Sequence, residues 1–240
     1  MMMPRTTLRL AAMVTFFLAS AIAHAGPVVP TGLSPGDQYY LTFLTSGGRD
    51  ATSTNINDYN DFVQAQAALN PALTGTDVGV QWRAVASTDS VNAYDNLGLV
   101  TDPPDVPIYL LDGTTLVAVG GLQWWSGFHL APINKTQFLT GDGYPFQVWT
   151  GTYIDGTANN PLGPDSTPHP TLGGDQSIID SWIYDWPHAP VEDGAGAIAP
   201  FYAVSELLTV VPEPSGVVLA MLSFGGLVVW AGNRRRRRCR

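Results

Sequence analysis

Carboxylates are the residues of this 240-residue chain with the clearest potential for chemistry. Between Gly26 and Val211 the chain has 19 acidic and three basic residues, hence a net charge of −16. Loops rich in oxygen atoms can hold Ca²⁺, which takes ligands from Asp, Asn and backbone carbonyls. Candidate calcium ligands lie in two segments: Asn57, Asp58, Asp61, Asp175, Asp180 and Asp185. Neither segment has the spacing of an EF-hand, and Asn57 and Asp58 could instead cap a helix.

The acidic surface also limits the partners that the chain can bind. Nucleic acids and anionic lipids need basic side chains that neutralise phosphate, and residues 26–211 offer only Arg49, Arg83 and Lys135. We therefore expect no nucleic-acid partner. The alternative to specific cation binding is a solvated acidic surface that keeps an exported protein soluble.

Recognisable catalytic motifs are missing from the sequence. His129, His169 and His188 are too far apart to form a short metal-binding motif. The chain has no Gly-x-Ser-x-Gly nucleophile elbow, and no two acids stand out as the pair that a glycosidase needs. We expect a non-enzymatic protein, with a secreted polysaccharide-degrading hydrolase as the alternative.

Tryptophans are the second group of candidate binding residues. Trp82 and Trp149 lie within strand patterns, which places them in the core. Rings that could stack on the C–H faces of sugars are Trp124, Trp125, Trp182 and Trp186. Adjacent residues of a strand point to opposite faces, so we expect one of Trp124 and Trp125 to be buried and the other exposed. Core packing is the alternative role of these rings.

The first 25 residues have the pattern of a secretory signal peptide. Arg5 and Arg9 form a basic region, and a mostly apolar segment runs from Leu10 to Ile22. A small-x-small cleavage site, with Ala23 and Ala25 before Gly26, completes the pattern. The sequence therefore predicts general secretory export and removal of residues 1–25 by signal peptidase.

The C-terminus, residues 212–240, has three parts in a fixed order. Pro212, Glu213 and Pro214 form a short motif, an uncharged segment runs from Gly216 to Gly232, and five arginines occupy positions 234–238. The uncharged segment is at the short end of what spans a bilayer. The arginines favour the cytoplasm, which places residues 26–211 outside it. An ordinary single-span anchor is one interpretation of this pattern.

The same three parts resemble the PEP-CTERM sorting signal of Gram-negative bacteria. The resemblance implies that an exosortase, a membrane transpeptidase, recognises Pro212, Glu213 and Pro214 and cuts nearby. It also implies a precursor anchored in the inner membrane by a helix over 216–232, which is then transferred to the cell surface or extracellular matrix. Proteins with this signal often occur in bacteria that make exopolysaccharide.

The body between the two signals reads as a linker, residues 26–37, and one domain, residues 38–211. Strand patterns are interrupted by Gly and Pro, and the one good amphipathic pattern follows Asn55 and ends before Pro71. Asp112-Gly113 separates two short strands as a hairpin turn. The only cysteine, Cys239, lies in the tail, so the body has no disulfide. We predict an α+β, mostly β fold.

The order of these pieces is similar to extracellular lectin-like domains of the C-type-lectin and endostatin kind. The segments that carry the resemblance are Tyr39–Thr45, Tyr59–Leu69, Gln81–Ala84, Tyr109–Thr114 and Val148–Thr152. The disulfides of those domains and the Glu-Pro-Asn or Gln-Pro-Asp sugar-binding triplet are absent. From the two processed ends, the acidic cysteine-free body and its aromatic-rich loops, we expect a non-enzymatic body that associates with exopolysaccharide. The alternatives are a β-sandwich or jelly roll as the fold, and a purely structural surface protein as the function.

Overall fold

A computed structural model describes residues 28–74, 79–99, 105–141, 147–164, 172–173, 182–183 and 194–211. The helices are α1 Ile56–Ala68, α2 Pro71–Thr74, α3 Ala93–Leu97 and α4 Gly120–Trp124, and a 3₁₀ turn covers Gly194–Gly196. The strands are β1 Gln38–Leu44, β2 Trp82–Ala84, β3 Pro107–Leu110, β4 Leu116–Val119, β5 Val148–Trp149, β6 Leu172–Gly173, β7 Tyr202–Ser205 and β8 Leu208–Thr209. Within these ranges no helix has the length and hydropathy that a membrane span requires. The predicted signal peptide and tail lie outside them.

A mixed sheet with β1 in the middle forms the centre of the molecule. Its strand order is β2-β7-β1-β3-β4, with β8 also paired to β1. Only the β1–β3 pair is parallel; the other pairs in this sheet are antiparallel. The prediction of an α+β, mostly β fold is confirmed. A β-sandwich needs two large facing sheets, whereas the described residues form one large sheet and the two-stranded β5–β6 ladder.

Both faces of β1 are buried, and each belongs to a different hydrophobic cluster. Tyr39, Leu41 and Phe43 point into the cluster that includes α1. Tyr40 and Leu44 point into the opposite cluster, which includes Trp124 and Trp182. This division follows from the two-residue period of a strand. A continuous run of aromatic and aliphatic residues, QYYLTFL, is typical of a strand that is covered on both faces.

Helix α1 begins and ends where the sequence predicts. The Asn55 side chain accepts a hydrogen bond from the backbone N–H of Asn57, which caps the first turn. The buried residues Ile56, Tyr59, Val63 and Ala67 are spaced three and four apart and lie on one helical face. After Ala68 the chain turns at Asn70, whose side chain accepts from Ala72 N–H at the start of α2.

The predicted hairpin at Asp112-Gly113 is confirmed. β3 and β4 pair antiparallel across it, and Gly113 has a φ of 67°, a conformation that glycine adopts without steric cost. One carboxylate oxygen of Asp112 accepts from Thr114 N–H and Thr115 N–H, and the other accepts from the Thr115 hydroxyl. Burial raises the pKa of Asp112, but these hydrogen bonds outweigh it and hold the pKa below its usual value.

Two local predictions need correction. The strand pattern over 78–87 gives only the three residues of β2. The Trp124–Trp125 pair, treated as part of a strand, lies at the end of helix α4. Gly120 follows β4 with a φ of 73°, which reverses the chain and starts this helix. The strict alternation of a strand therefore does not apply to these two rings.

Side-chain carboxamides of α1 and α3 form hydrogen bonds with the backbone groups at the outer edge of β2. Gln64 Oε1 accepts from Trp82 N–H at 2.8 Å, and Gln64 Nε2 donates to Val80 O at 3.1 Å. Asn60 Oδ1 accepts from Ala84 N–H at 2.9 Å. Asn96 Nδ2 donates to Ala84 O at 2.8 Å and to Asn60 Oδ1 at 3.0 Å. Because each carboxamide bonds like a peptide group, the helices take the place of a neighbouring strand.

Strands β7 and β8 run along the same side of β1 as one interrupted strand. Val204 is opposite Thr42, but Leu208 is opposite Tyr39, so β7–β8 contains one more residue than the stretch of β1 that it faces. This extra residue is a β-bulge. Pairing then continues past β8, because Val210 N–H donates to Asp37 O and Gly36 N–H donates to Val210 O, both at 2.9 Å.

We expect Gln64→Ala to lower the free energy of unfolding by about 1–3 kcal/mol, since it leaves Trp82 N–H and Val80 O without their partner. Asn57→Ala is the matched control, because Asn57 is exposed on the same helix. Urea denaturation of both variants measures the difference. Equal stability of the two would show that water replaces the carboxamide without cost.

Candidate functional site

A polar groove lies between α1 and the outer edge of β2. It has a volume of about 240 Å³. Its lining consists almost entirely of polar side chains: Asn57, Asn60, Asp61, Gln64, Gln81, Trp82, Arg83 and Asn96. We call it the α1 groove. Residues 57, 60, 61 and 64 share one face of α1 because of the helical period.

The floor of the α1 groove is held in place by the hydrogen bonds to β2. Asn60, Gln64 and Asn96 are each tied to backbone atoms or to one another. Arg83 Nη1 donates to Asn96 O at 2.7 Å, which fixes one side of the guanidinium. A ligand therefore meets a preorganised surface, and little side-chain entropy is lost when it binds.

The rim of the α1 groove keeps polar atoms available. Asn57, Asp61, Gln81 and Arg83 are exposed. One carboxylate and one guanidinium leave the lining without net charge. Carboxylate oxygens accept, guanidinium N–H groups donate, and carboxamides do both. This combination suits a neutral ligand with several hydroxyl groups better than a lone cation or anion.

The predicted calcium ligands of the first segment have separate roles. Asp58 Oδ2 accepts from the Ser53 hydroxyl at 2.6 Å, and Asp58 Oδ1 accepts from Asn55 Nδ2 at 2.9 Å. Asp58 thus stabilises the loop that caps α1. This agrees with helix capping, the alternative to calcium binding for this residue. Asn57 and Asp61 line the α1 groove, and Asp58 does not. In the described ranges no three His, Cys, Asp or Glu side chains are grouped so that they could hold a metal ion.

The glycan-contact prediction is wrong for two of the tryptophans. Trp124 and Trp182 have no exposed surface, so neither ring can stack on a sugar in this conformation. Trp125 is half-buried. The exposed aromatic ring in this part of the chain is Phe128, with 65 % of its surface accessible. By contrast, Trp82 and Trp149 lie in the core as predicted, and their indole N–H groups donate to Leu73 O and Ala197 O.

The buried tryptophans pack around a histidine whose role the sequence did not reveal. His129 stacks on Trp182 with ring centroids 4.0 Å apart and lies 4.7 Å from Trp124. Trp124 and Trp182 meet edge to face at 4.8 Å. None of the three indole N–H groups of Trp124, Trp125 and Trp182, nor either nitrogen of His129, has a hydrogen-bond partner of ordinary geometry in the described structure. The one signal in the sequence is the position of His129 shortly after Trp124-Trp125.

Burial keeps the imidazole of His129 neutral. Desolvation lowers the pKa of His129 to about 3, and only the backbone of Trp124 opposes this shift. The ring neighbours Trp124 and Trp182 carry no charge that could stabilise a protonated imidazole. His129 therefore acts as an aromatic core residue rather than as a solvated loop histidine.

Several predicted site residues lie outside the described residues. They are the sorting motif Pro212, Glu213 and Pro214, the cleavage site Ala23, Ala25 and Gly26, the second calcium segment Asp175, Asp180 and Asp185, and Trp186. The comparisons with known proteins assign no role to any part of the chain, since no protein-family model matches the sequence and no curated protein matches it.

Burial of neutral His129 predicts a stability that falls in mild acid. The unfolded chain takes up a proton near pH 6.5 and the folded chain only near pH 3, so stability is full above pH 6.5 and declines below it. The whole decline is on the order of 5 kcal/mol. We expect the wild type to lose about 2 kcal/mol between pH 6.5 and 4.5, and His129→Phe to lose much less.

Denaturant unfolding at several pH values measures this difference. Asp50 and Asp112 do not interfere, because their pKa values lie below the usual value, through the Thr52 hydrogen bond for Asp50 and the bonds described above for Asp112. Their stabilising contributions are lost only at lower pH. Parallel pH profiles for the wild type and His129→Phe would contradict a buried neutral imidazole.

Proposed function

We propose that this chain is an exported cell-surface or matrix protein whose lectin-like body associates with exopolysaccharide without catalysing a reaction. The two ends of the sequence support export and processing. The N-terminal segment fits signal peptidase, and the Pro212–Pro214 motif, apolar segment and arginines fit an exosortase. The membrane then holds the precursor through residues 216–232 until the body is transferred.

The α1 groove is the observation that carries the proposed binding role. Its lining is neutral overall, its floor is fixed by hydrogen bonds, and Asn57 and Asp61 on its rim have no side-chain hydrogen bond in the described structure. Sugar hydroxyls donate and accept, so they match carboxylate, carboxamide and guanidinium groups placed side by side. A single groove of this size binds a sugar weakly, but a polymer can engage many copies of the protein at once.

The order of elements supports the lectin-like fold. Strand β1, helix α1, strand β2, the β3–β4 hairpin and the Trp149 strand follow one another as in the domains that the sequence resembles. The missing sugar-binding triplet of those domains means that binding rests on different residues. We assign sugar binding to the α1 groove.

Binding fits the α1 groove better than hydrolysis does. Glycosidases place two carboxyl groups on opposite sides of the scissile bond. Asp61 is the only acid among the residues that line the groove. One carboxylate can hold a hydroxyl group but cannot supply both an acid and a base.

Asp61→Ala tests the proposed contact. We expect about tenfold weaker binding of the mature protein to the exopolysaccharide of the producing cell, because one charge-assisted hydrogen bond is lost. Asp89→Ala is the matched control, since Asp89 is also exposed but lies outside the groove. Affinity electrophoresis in gels containing the polysaccharide measures retardation.

Measuring polysaccharide binding with added Ca²⁺ and with a chelator distinguishes binding by the α1 groove from binding by a calcium-dependent site. Binding through Asn57, Asp61 and Arg83 is expected to survive chelation. Loss of binding in chelator, with no effect of Asp61→Ala, would move the contact to the predicted calcium segment at 175–185. Equal binding by the Asp61 and Asp89 variants would remove the groove from the proposal.

A further inference from the structure

The described residues of the body reach Val211, directly before the sorting motif. Val210 is 7 % exposed and belongs to the hydrophobic cluster that includes α1. Its N–H and C=O both bond to the turn before β1, through Asp37 and Gly36. Val211 is then 75 % exposed, and Pro212 follows. Only Val211 separates Val210, the last described residue that bonds to the sheet region, from the motif.

This short connection limits how far the motif can lie from the body. Each extended residue spans at most about 3.6 Å, so the first residue of the motif lies within about 7 Å of Val210. The predicted membrane segment starts at Gly216, which keeps the body of the precursor within about 22 Å of the membrane. An enzyme that encloses Pro212, Glu213 and Pro214 must therefore touch the surface around Val210.

That end of the sheet carries an open groove of its own. A volume of about 430 Å³ is lined by Leu33, residues 36–38 and residues 105–107. We call this surface the exit face. Val210 follows β8, and the exit face includes the start of β3. Strand β1 lies between these two strands, so the exit face is one strand away from Val210. Leu33, Val106 and Pro107 make part of the exit face apolar, whereas Asp37 and Asp105 make it acidic.

We propose that the exit face is a docking surface for the membrane enzyme that reads the Pro212–Pro214 motif, so that recognition includes the folded body as well as the tail. This inference rests on the proposed exosortase processing. A partner surface with basic and apolar side chains complements the exit face. Anionic lipid headgroups do not, because Asp37, Asp105 and the net charge of the body repel them.

The alternative to docking is that the body obstructs the enzyme. Access would then require residues 207–210 to detach from β1, breaking the β8 pairing and the two bonds of Val210. The two cases predict opposite effects of a spacer. Extra residues relieve an obstruction but separate a docking surface from the motif.

The test uses the full-length precursor in its native host, with a Gly-Ser-Gly-Ser-Gly-Ser spacer inserted between Val211 and Pro212. Pulse-labelling followed by immunoblotting gives the rate at which the tail is removed. We expect the spacer to slow this step about tenfold, because the enzyme can no longer engage both surfaces closely. Signal-peptide removal and thermal unfolding of the body are expected to stay unchanged.

A charge reversal locates the contact. We expect Asp105→Lys to slow tail removal about threefold through lost charge complementarity. Asp89→Lys makes the same change at an exposed position outside the exit face, and its rate is expected to equal that of the wild type.

Three outcomes would overturn the inference. Equal or faster processing of the spacer variant means that the body obstructs the enzyme or plays no part. Equal rates for the Asp105 and Asp89 variants remove the contact from the exit face. Faster processing of Asp105→Lys indicates that this surface meets lipid. By contrast, an exported wild type whose tail is never cut would refute the proposed processing itself.

Discussion

The burial of β1 on both faces is the constraint on which the rest of the structure depends. Tyr39, Leu41 and Phe43 require a cover on one face, and α1 with β2 supplies it. Tyr40 and Leu44 require a cover on the other, supplied by the α4 segment and residues 182–183. With both faces filled by core, ligand surfaces are left to the margins of the sheet. The α1 groove lies at a side edge and the exit face lies at one end.

Elements that depend on neighbouring residues were predictable from sequence. Strand β1, helix α1 and the Asp112-Gly113 hairpin each depend on a local pattern, a cap or a turn. The α1 groove was only partly predictable. Asn57 and Asp61 are predicted from sequence as calcium ligands, but Arg83, which lines the same groove, comes from β2. No local pattern shows that the carboxamides of Asn60 and Gln64 reach the backbone of that strand.

The tryptophans show why composition alone misplaces aromatic side chains. An aromatic side chain suits either the core or an exposed binding surface. The direction of the local backbone determines which of the two it occupies. Gly120 turns the chain after β4, so Trp124 enters the core on a helix while Phe128 remains at the surface. Trp82 and Trp149 donate their indole N–H groups to carbonyls. The indoles of Trp124 and Trp182, which pack closely against the His129 ring, make no such hydrogen bond in the described structure. Stacked and edge-to-face rings offset part of that cost.

The hydrogen bonds at the edges of the sheet have a consequence for self-association. A strand with unpaired amides invites another chain to add to it, which starts polymerisation. Here the outer N–H groups of Trp82 and Ala84 already bond to side chains. At the opposite edge, Val119 N–H donates to Gln123, and Val117 O accepts from Leu130 N–H. The outer edges of β2 and β4 are thus occupied at these positions, so concentrated copies of the protein cannot join there edge to edge into fibres.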